Sequence, residues 1–318
     1  MFVVYLIILL FSIVLLTYLS NKQYKQTNAF NNQFVDIQKF KIISNLPKHS
    51  LDLIVLGSNA PKFAFDFSEI KDLKCSNWAI GPETFEYDSI ILKKFSSKLK
   101  QDATVILPIC PGSFFLHKFS HKNNLVKYYK LLNPKEFPEY SIRQKIKEYD
   151  YPLIFNPMLT KRLIKDVKED KRLDLDYNLI NSLDIQKDAE WWIRKCWNPL
   201  FGINIEDMHQ LSSQNEQSII NNINIVKKIA EYCQEYKLNL ILVYLPLTKE
   251  LADMFPESYV NQYMKQCSEN AIKDFNVKIV DYMHDKRFQK HEYYINSFFM
   301  NRIGAKLFTN TFIKENIR

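Results

Sequence analysis

The stretch Leu51-Asp52-Leu53-Ile54-Val55-Leu56-Gly57-Ser58-Asn59-Ala60 decides the fold. A short apolar run stops abruptly at Gly-Ser-Asn. Such a run, bounded by a glycine turn, reads as a strand buried on both faces. In open parallel α/β sheets, ligands sit beyond the carboxyl ends of the strands. Gly57, Ser58 and Asn59 therefore mark a candidate cleft.

Working outward, a second extended piece is expected around Leu73 to Asn77, followed by the loop Trp78-Ala79-Ile80-Gly81-Pro82. Tyr87, Ile91, Phe95 and Leu99 recur every four residues and predict a helix over 84–100 with one apolar face. Ala103 to Ile109 is a third strand, which stops at Cys110-Pro111-Gly112-Ser113. After residue 211 the alternation resumes. Ser213-Gln214-Asn215-Glu216 has the pattern of a capping box opening a helix. Leu238 to Leu245 and Val277 to Asp281 are strands, with helices expected over 259–274 and 302–314. Strands separated by helices predict right-handed crossovers and a parallel, three-layer α/β sheet.

Residues 114–211 break this rhythm with charges, prolines and the cluster Trp191, Trp192 and Trp197. They read as a largely helical insertion over the cleft. The tryptophans could form a sugar-stacking platform, meet a membrane interface, or simply pack, and packing is the commonest fate.

Phe2 to Leu19 is apolar apart from Ser12 and Thr17. Eighteen residues of helix rise about 27 Å, close to the hydrocarbon thickness of a bilayer. No small-x-small cleavage signal follows, so residues 1–20 read as an uncleaved single-pass anchor, with residues 21–50 as a polar stalk carrying a short helix. Residues 51–318 form the folded domain. Lys22 and Lys25 follow the helix and no basic residue precedes it, which by the positive-inside rule places that domain in the cytoplasm.

With 318 residues and 47% apolar composition, the chain can bury a sizeable core. Its net charge of +8 is spread along the sequence without a compact basic cluster, and no nucleic-acid-binding module is present. Cys75, Cys110, Cys196, Cys233 and Cys267 form no CxxC pair. They define neither a disulfide framework nor a zinc site. The six histidines suggest no metal cluster, no glycine-rich phosphate loop is present, and no cofactor is expected.

Four segments together resemble the SGNH/GDSL hydrolase-like superfamily, in particular its membrane-anchored branch of teichoic acid D-alanine transfer and alginate acetylation proteins. Residues 54–60, Ile-Val-Leu-Gly-Ser-Asn-Ala, are similar to the first block. Asn77-Trp78-Ala79-Ile80-Gly81 is similar to the second, Leu240 to Pro246 to the late strand, and residues 293–309 to the terminal block, usually Asp-x-x-His-Leu-Asn-x-x-Gly-Ala. The resemblance covers about residues 50–315 with the middle unmatched. It implies a flavodoxin-like sheet, an extracytoplasmic domain and a role in cell-surface polysaccharide assembly or modification. The implied partners are a glycan or acylated carrier, and a membrane-bound acyltransferase or another assembly protein.

The resemblance also exposes what is missing. The nucleophile's place holds Asn59, whose amide nitrogen is delocalised into its carbonyl and cannot act as a base-activated hydroxyl does. Ser58 is one residue early and is aimed elsewhere. The aspartate and histidine of the terminal block fall on Asn296 and Phe299, and a benzyl group accepts no proton. The strand-three exit carries no oxyanion asparagine. Asn301, Gly304 and Ala305 keep the structural part of the block. The expectation is a non-catalytic SGNH-like protein, with Gly57, Ser58, Asn59, Asn77, Cys110, Ser113 and Asn301 around the cleft. One rival is an esterase or acyltransferase with relocated groups, such as Cys110 served by His284 or His291. Another is a purely structural anchor.

Overall fold

A computed structural model of the chain describes residues 1–116, 122–161, 184–208 and 211–317. The chain divides into two compact units, Met1–Lys41 with His121–Leu175, and Ile42–Ser120 with Asp176–Arg318.

The first unit begins with α1 (Phe2–Tyr24), a single helix of 23 residues. Its apolar window has a mean hydropathy of 2.8 and none of it is buried, so it is not a core helix. It is long and apolar enough to cross a bilayer. The carboxyl end of α1 is tied into the unit. Asn21 Nδ2 donates to the carbonyl of Asp150 at 2.8 Å, and Asn21 Oδ1 accepts the N–H of Leu153 at 3.3 Å. Tyr24 meets Phe30 edge-on, Phe30 packs on Phe34, and Phe34 meets Tyr149 edge-on at 5.8 Å. Phe30, Phe34 and Phe40 are buried. Residues 21–41, the larger part of the stretch read as a polar stalk, belong to this unit. Their scattered aromatic residues find partners far along the chain, within 121–175. The segment read as one insertion, 114–211, is divided between the two units, and its residues 117–121, 162–183 and 209–210 lie outside the described ones.

The second unit is built on five parallel strands, β1 (Leu51–Val55), β2 (Cys75–Asn77), β3 (Leu99–Ile109), β4 (Asn239–Tyr244) and β5 (Lys278–Asp281), in the order β2-β1-β3-β4-β5. Val55 pairs with Asn77 on one side and Ile106 on the other; Ile106 pairs with Ile241, and Val243 with Val280. The three central strands are the ones most legible in the sequence. Leu53 to Val55, Val105 to Leu107, and Leu242 and Val243 have no exposed surface, because helices cover both faces of the sheet. The connecting helices include α2 (Asn59–Ala64), α3 (Phe85–Phe95), α4 (Ile185–Trp191), α5 (Ser213–Glu235), α6 (Gln266–Ile272) and α7 (Arg302–Asn316).

Helix α5 starts one residue earlier than the capping-box reading placed it. Ser212, not Ser213, is the N-cap, and its hydroxyl accepts the N–H of Asn215 at 3.2 Å. Helix α7 is capped by Asn301. Gly304 in its first turn lies so close to Tyr293 that an added Cβ would sit 2.3 Å from that residue's carbonyl oxygen. Phe65, Tyr282, Phe288, Phe308 and Phe312 fill the core beneath α7 with edge-to-face rings, among them Phe288 and Phe308 at 5.3 Å and 90°.

The chain lays β2 on one side of β1 and then β3 on the other. Strand order reverses there, and this opens a crevice beyond the carboxyl ends of β1 and β3, where ligands bind in such sheets.

Candidate functional site

A cavity of about 220 Å³ occupies that crevice. A larger and more open depression, of about 850 Å³, lies at the opposite end of β3 against Leu99, Lys100 and Lys237. That is the amino edge of the sheet, where this fold offers no switch point, so the smaller cavity is the candidate site.

Its floor is the turn after β1. Gly57 adopts φ +106°, a conformation that favours glycine, and a Cβ there would meet Pro61 at 2.8 Å. The N–H of Gly57 donates to Asp88 Oδ1 at 2.5 Å, and its carbonyl accepts the N–H of Ile80 at 2.8 Å. Ser58 Oγ accepts the N–H of Glu83 at 3.0 Å. Asn59 opens α2, and its amide lies against Gly81 so closely that a Cβ on Gly81 would fall 1.5 Å from Asn59 Oδ1.

The walls are aromatic. Trp192, Trp197, Phe201, Phe298 and Phe299 line the cavity. Phe299 packs on Phe63 at 4.9 Å, on Phe298 at 4.7 Å and on Trp192 at 5.5 Å. Phe201 comes over the strand-three exit because Gly112 has no side chain; a Cβ there would lie 2.2 Å from the Phe201 ring. Two polar groups in this wall have buried atoms without a hydrogen-bond partner, Thr84 Oγ1 and Trp192 Nε1. A buried unpaired donor or hydroxyl costs about 1–3 kcal/mol.

The structure brings Gly57, Ser58, Asn59, Cys110, Ser113, Trp192, Trp197 and Phe299 to the cavity wall and leaves others out. Asn77 is spent on the fold: Nδ2 donates to the carbonyls of Pro61 and Phe65, and Oδ1 accepts the N–H of Ala79. Asn301 is likewise occupied. Its Oδ1 accepts the N–H groups of Ile303 and Gly304, and Nδ2 donates to the Glu292 carbonyl. Asn296 Oδ1 accepts the N–H groups of Phe298 and Phe299, a turn that aims both rings. The tryptophans make no common stacking plane. Trp191 meets Trp192 at 83°, Trp192 meets Trp197 at 41°, and Trp197 is buried. Trp192 and Trp197 line the cavity and pack on Phe298, while Trp191 is half exposed and is not among the lining residues.

The electrostatics oppose nucleophilic chemistry at Cys110. Burial, reinforced by the nearby Asp88 charge, pushes its thiol up to about 12, so it stays protonated at neutral pH. Among the described residues no histidine lines the cavity. His291 pairs instead with Glu250 at 2.8 Å on the surface. Ser113 Oγ accepts the N–H of Cys110 at 2.9 Å.

Three acidic residues escaped the sequence reading. Asp88 sits on α3 next to the apolar position Tyr87, where an aspartate ordinarily faces solvent, yet it is buried under Gly57. Burial raises its carboxyl to about 7, opposed by the hydrogen bonds it takes from the Gly57 N–H and the Glu83 side chain. Glu83 and Asp88 form a buried, hydrogen-bonded carboxyl pair. Asp188, on α4, holds the aromatic wall. Its Oδ2 accepts both the N–H and the hydroxyl of Ser297, at 2.8 and 2.6 Å. Only a turn glycine with an orphan N–H hinted at Asp88, and nothing local hinted at Asp188. No family model matches the chain, and no curated protein matches it.

Proposed function

We propose that the chain is a membrane-anchored SGNH/GDSL-like protein that has lost ester chemistry and holds the acyl group of an acylated glycan or carrier during cell-surface polysaccharide assembly. The strand order 2-1-3-4-5 of the flavodoxin-like sheets supports the fold assignment. The loss of chemistry is supported by Asn59 and Phe299 at the cavity, by Asn296 engaged in a turn, and by the protonated Cys110 thiol.

One observation carries the binding reading. Thr84 and Trp192 line a cavity walled by aromatic rings, and each holds a buried polar atom with nothing to bond, Thr84 Oγ1 and Trp192 Nε1. Rings accept an acyl chain, and an ester or amide carbonyl would satisfy either donor once its side chain turns toward the cavity. A bare sugar would leave many of its hydroxyls unpaired against rings. Asn21 and Tyr24, which join the end of α1 to the folded first unit, support an anchor that stays attached. The resemblance implies an α/β unit outside the cytoplasm, and a carboxyl-terminal reporter fusion tests that side.

The binding test uses the full chain in lipid nanodiscs titrated with hexanoyl-glucose, followed by tryptophan fluorescence and by assay of free hexanoate. A saturable change without hexanoate release is expected, with affinity weakened about tenfold in W192F and T84V, the loss of roughly one hydrogen bond each. Hexanoate release would revive the esterase reading. No saturable change would leave a purely structural anchor.

A further inference from the structure

We infer that the first unit carries a second membrane-contacting surface, an apolar patch on residues 142–158 that lies in the interface of the bilayer crossed by α1. Ile142, Ile146, Tyr151, Ile154, Phe155 and Met158 are all exposed. Single exposed apolar residues are ordinary, but six within one short segment form a patch that calls for a partner. Ile142 and Ile146 are four apart on the helical run Ile142–Lys145 and Ile146–Asp150, so they share a face. Tyr151 follows directly, and Ile154, Phe155 and Met158 lie on the turns Pro152–Phe155 and Pro157–Leu159.

The position of the patch identifies its occupant. The short helix Pro152–Phe155 packs against α1. Asn21 bonds the backbone on both sides of Tyr151, at Asp150 and Leu153. Asn21 lies two residues past Leu19, the last of the apolar run, about 3 Å along the helix axis. The patch is therefore fixed at the level where α1 leaves the hydrocarbon. It adjoins the end of the helix that is long and apolar enough to cross a bilayer.

Its charges suit that level. Lys22, Arg143 and Lys161 are exposed, and Lys147 places its ammonium 5.7 Å from the Phe155 ring centre. Cations flanking aromatic and aliphatic residues are the composition of interfacial segments, where ammonium groups reach lipid phosphates and apolar tips enter the acyl boundary.

The test is photocrosslinking of the full chain in nanodiscs of phosphatidylcholine and phosphatidylglycerol. Benzoylphenylalanine is placed singly at Val14, Phe155, Met158, Ile220 or Tyr236, and lipid adducts are read by mass spectrometry. Val14 is the positive control within α1. Ile220 and Tyr236, each 52% exposed, are apolar controls on the second unit. Adducts at 155 and 158 should exceed those at 220 and 236 by at least about fivefold. With the probe at Ile154, the pair F155E/M158E should lose most of the adduct; both side chains are half exposed or more, so folding is preserved. Adducts at Val14 without adducts at 155 and 158 would overturn the inference, as would crosslinks from 155 and 158 to protein alone. Failure at Val14 would instead remove α1 from the bilayer and the patch with it. None of these outcomes depends on what the cavity binds.

Discussion

The backbone N–H of Gly57 lies 2.5 Å from Oδ1 of Asp88, and that bond joins the turn after β1 to a carboxyl on α3 with almost no exposed surface. It fixes the left-handed turn that forms the cavity floor. Because burial raises the Asp88 carboxyl from 3.8 to about 7, the native state holds a proton that the unfolded chain releases. Between those values the folded state binds more protons, so stability must fall as pH rises from about 4 to about 7. Denaturant unfolding across that range should show the decline, on the order of 4 kcal/mol for the full shift. D88N keeps an acceptor for Gly57 and should flatten the profile. D88A should cost about 1–3 kcal/mol at every pH, because it orphans the N–H. A wild-type profile that is flat, or rises, over this range would contradict the buried pair.

The same turn shows how far the sequence could be read. β1, β3 and β4 were legible because a strand buried on both faces has to be apolar throughout. The turn at Gly57 was legible because few other residues could end that run. Asp88 was not, since helical periodicity reports a residue's face and not what a loop lays over it. The first unit was less legible still. Phe34 meets Tyr149 across more than a hundred residues, and a polar segment with scattered aromatics looks the same whether or not such partners exist. The three tryptophans were visible as a cluster, but the angles between their rings, which decide between stacking and packing, are set by tertiary contacts.

Asp188 should act on the cavity wall without touching a ligand. Its carboxylate takes two hydrogen bonds from Ser297, whose carbonyl in turn accepts the hydroxyl of Thr248 at 3.0 Å. D188A leaves two buried donors unpaired and should lower stability by about 1–3 kcal/mol. D188N retains one acceptor and should lose less. Hydrogen exchange should report faster opening of residues 296–299 in D188A, while β3 and β4 keep their protection. Uniform acceleration across the sheet would show that Asp188 has no local role.

Cys110 should be chemically silent in the folded protein. A thiol raised to about 12 has a thiolate fraction at pH 7.5 on the order of a thousandfold below that of a free cysteine. Alkylation with iodoacetamide, mapped by peptide mass spectrometry, should leave Cys110 unlabelled until denaturant is added. Rapid labelling in the native state would restore a nucleophile to the cavity and undo the argument against chemistry there.

Gly81 and Asn59 should behave as a coupled pair. The missing side chain at Gly81 makes the space that the Asn59 amide fills, since a Cβ there would lie 1.5 Å from Asn59 Oδ1. G81A forces the amide out of its seat and should cost about 1–3 kcal/mol, the usual penalty for overpacking. N59A alone should be mild, because Asn59 is only partly buried and truncation there forces nothing to move. The double variant N59A/G81A should recover most of the loss, giving a coupling energy of at least about 1 kcal/mol in a thermal-unfolding cycle. The cycle also bears on the role of Asn59 at the cavity floor. If the two penalties simply add, Asn59 does not rest on Gly81 and its amide is free to face a ligand. If they couple, the Asn59 amide is a packing element of the cleft.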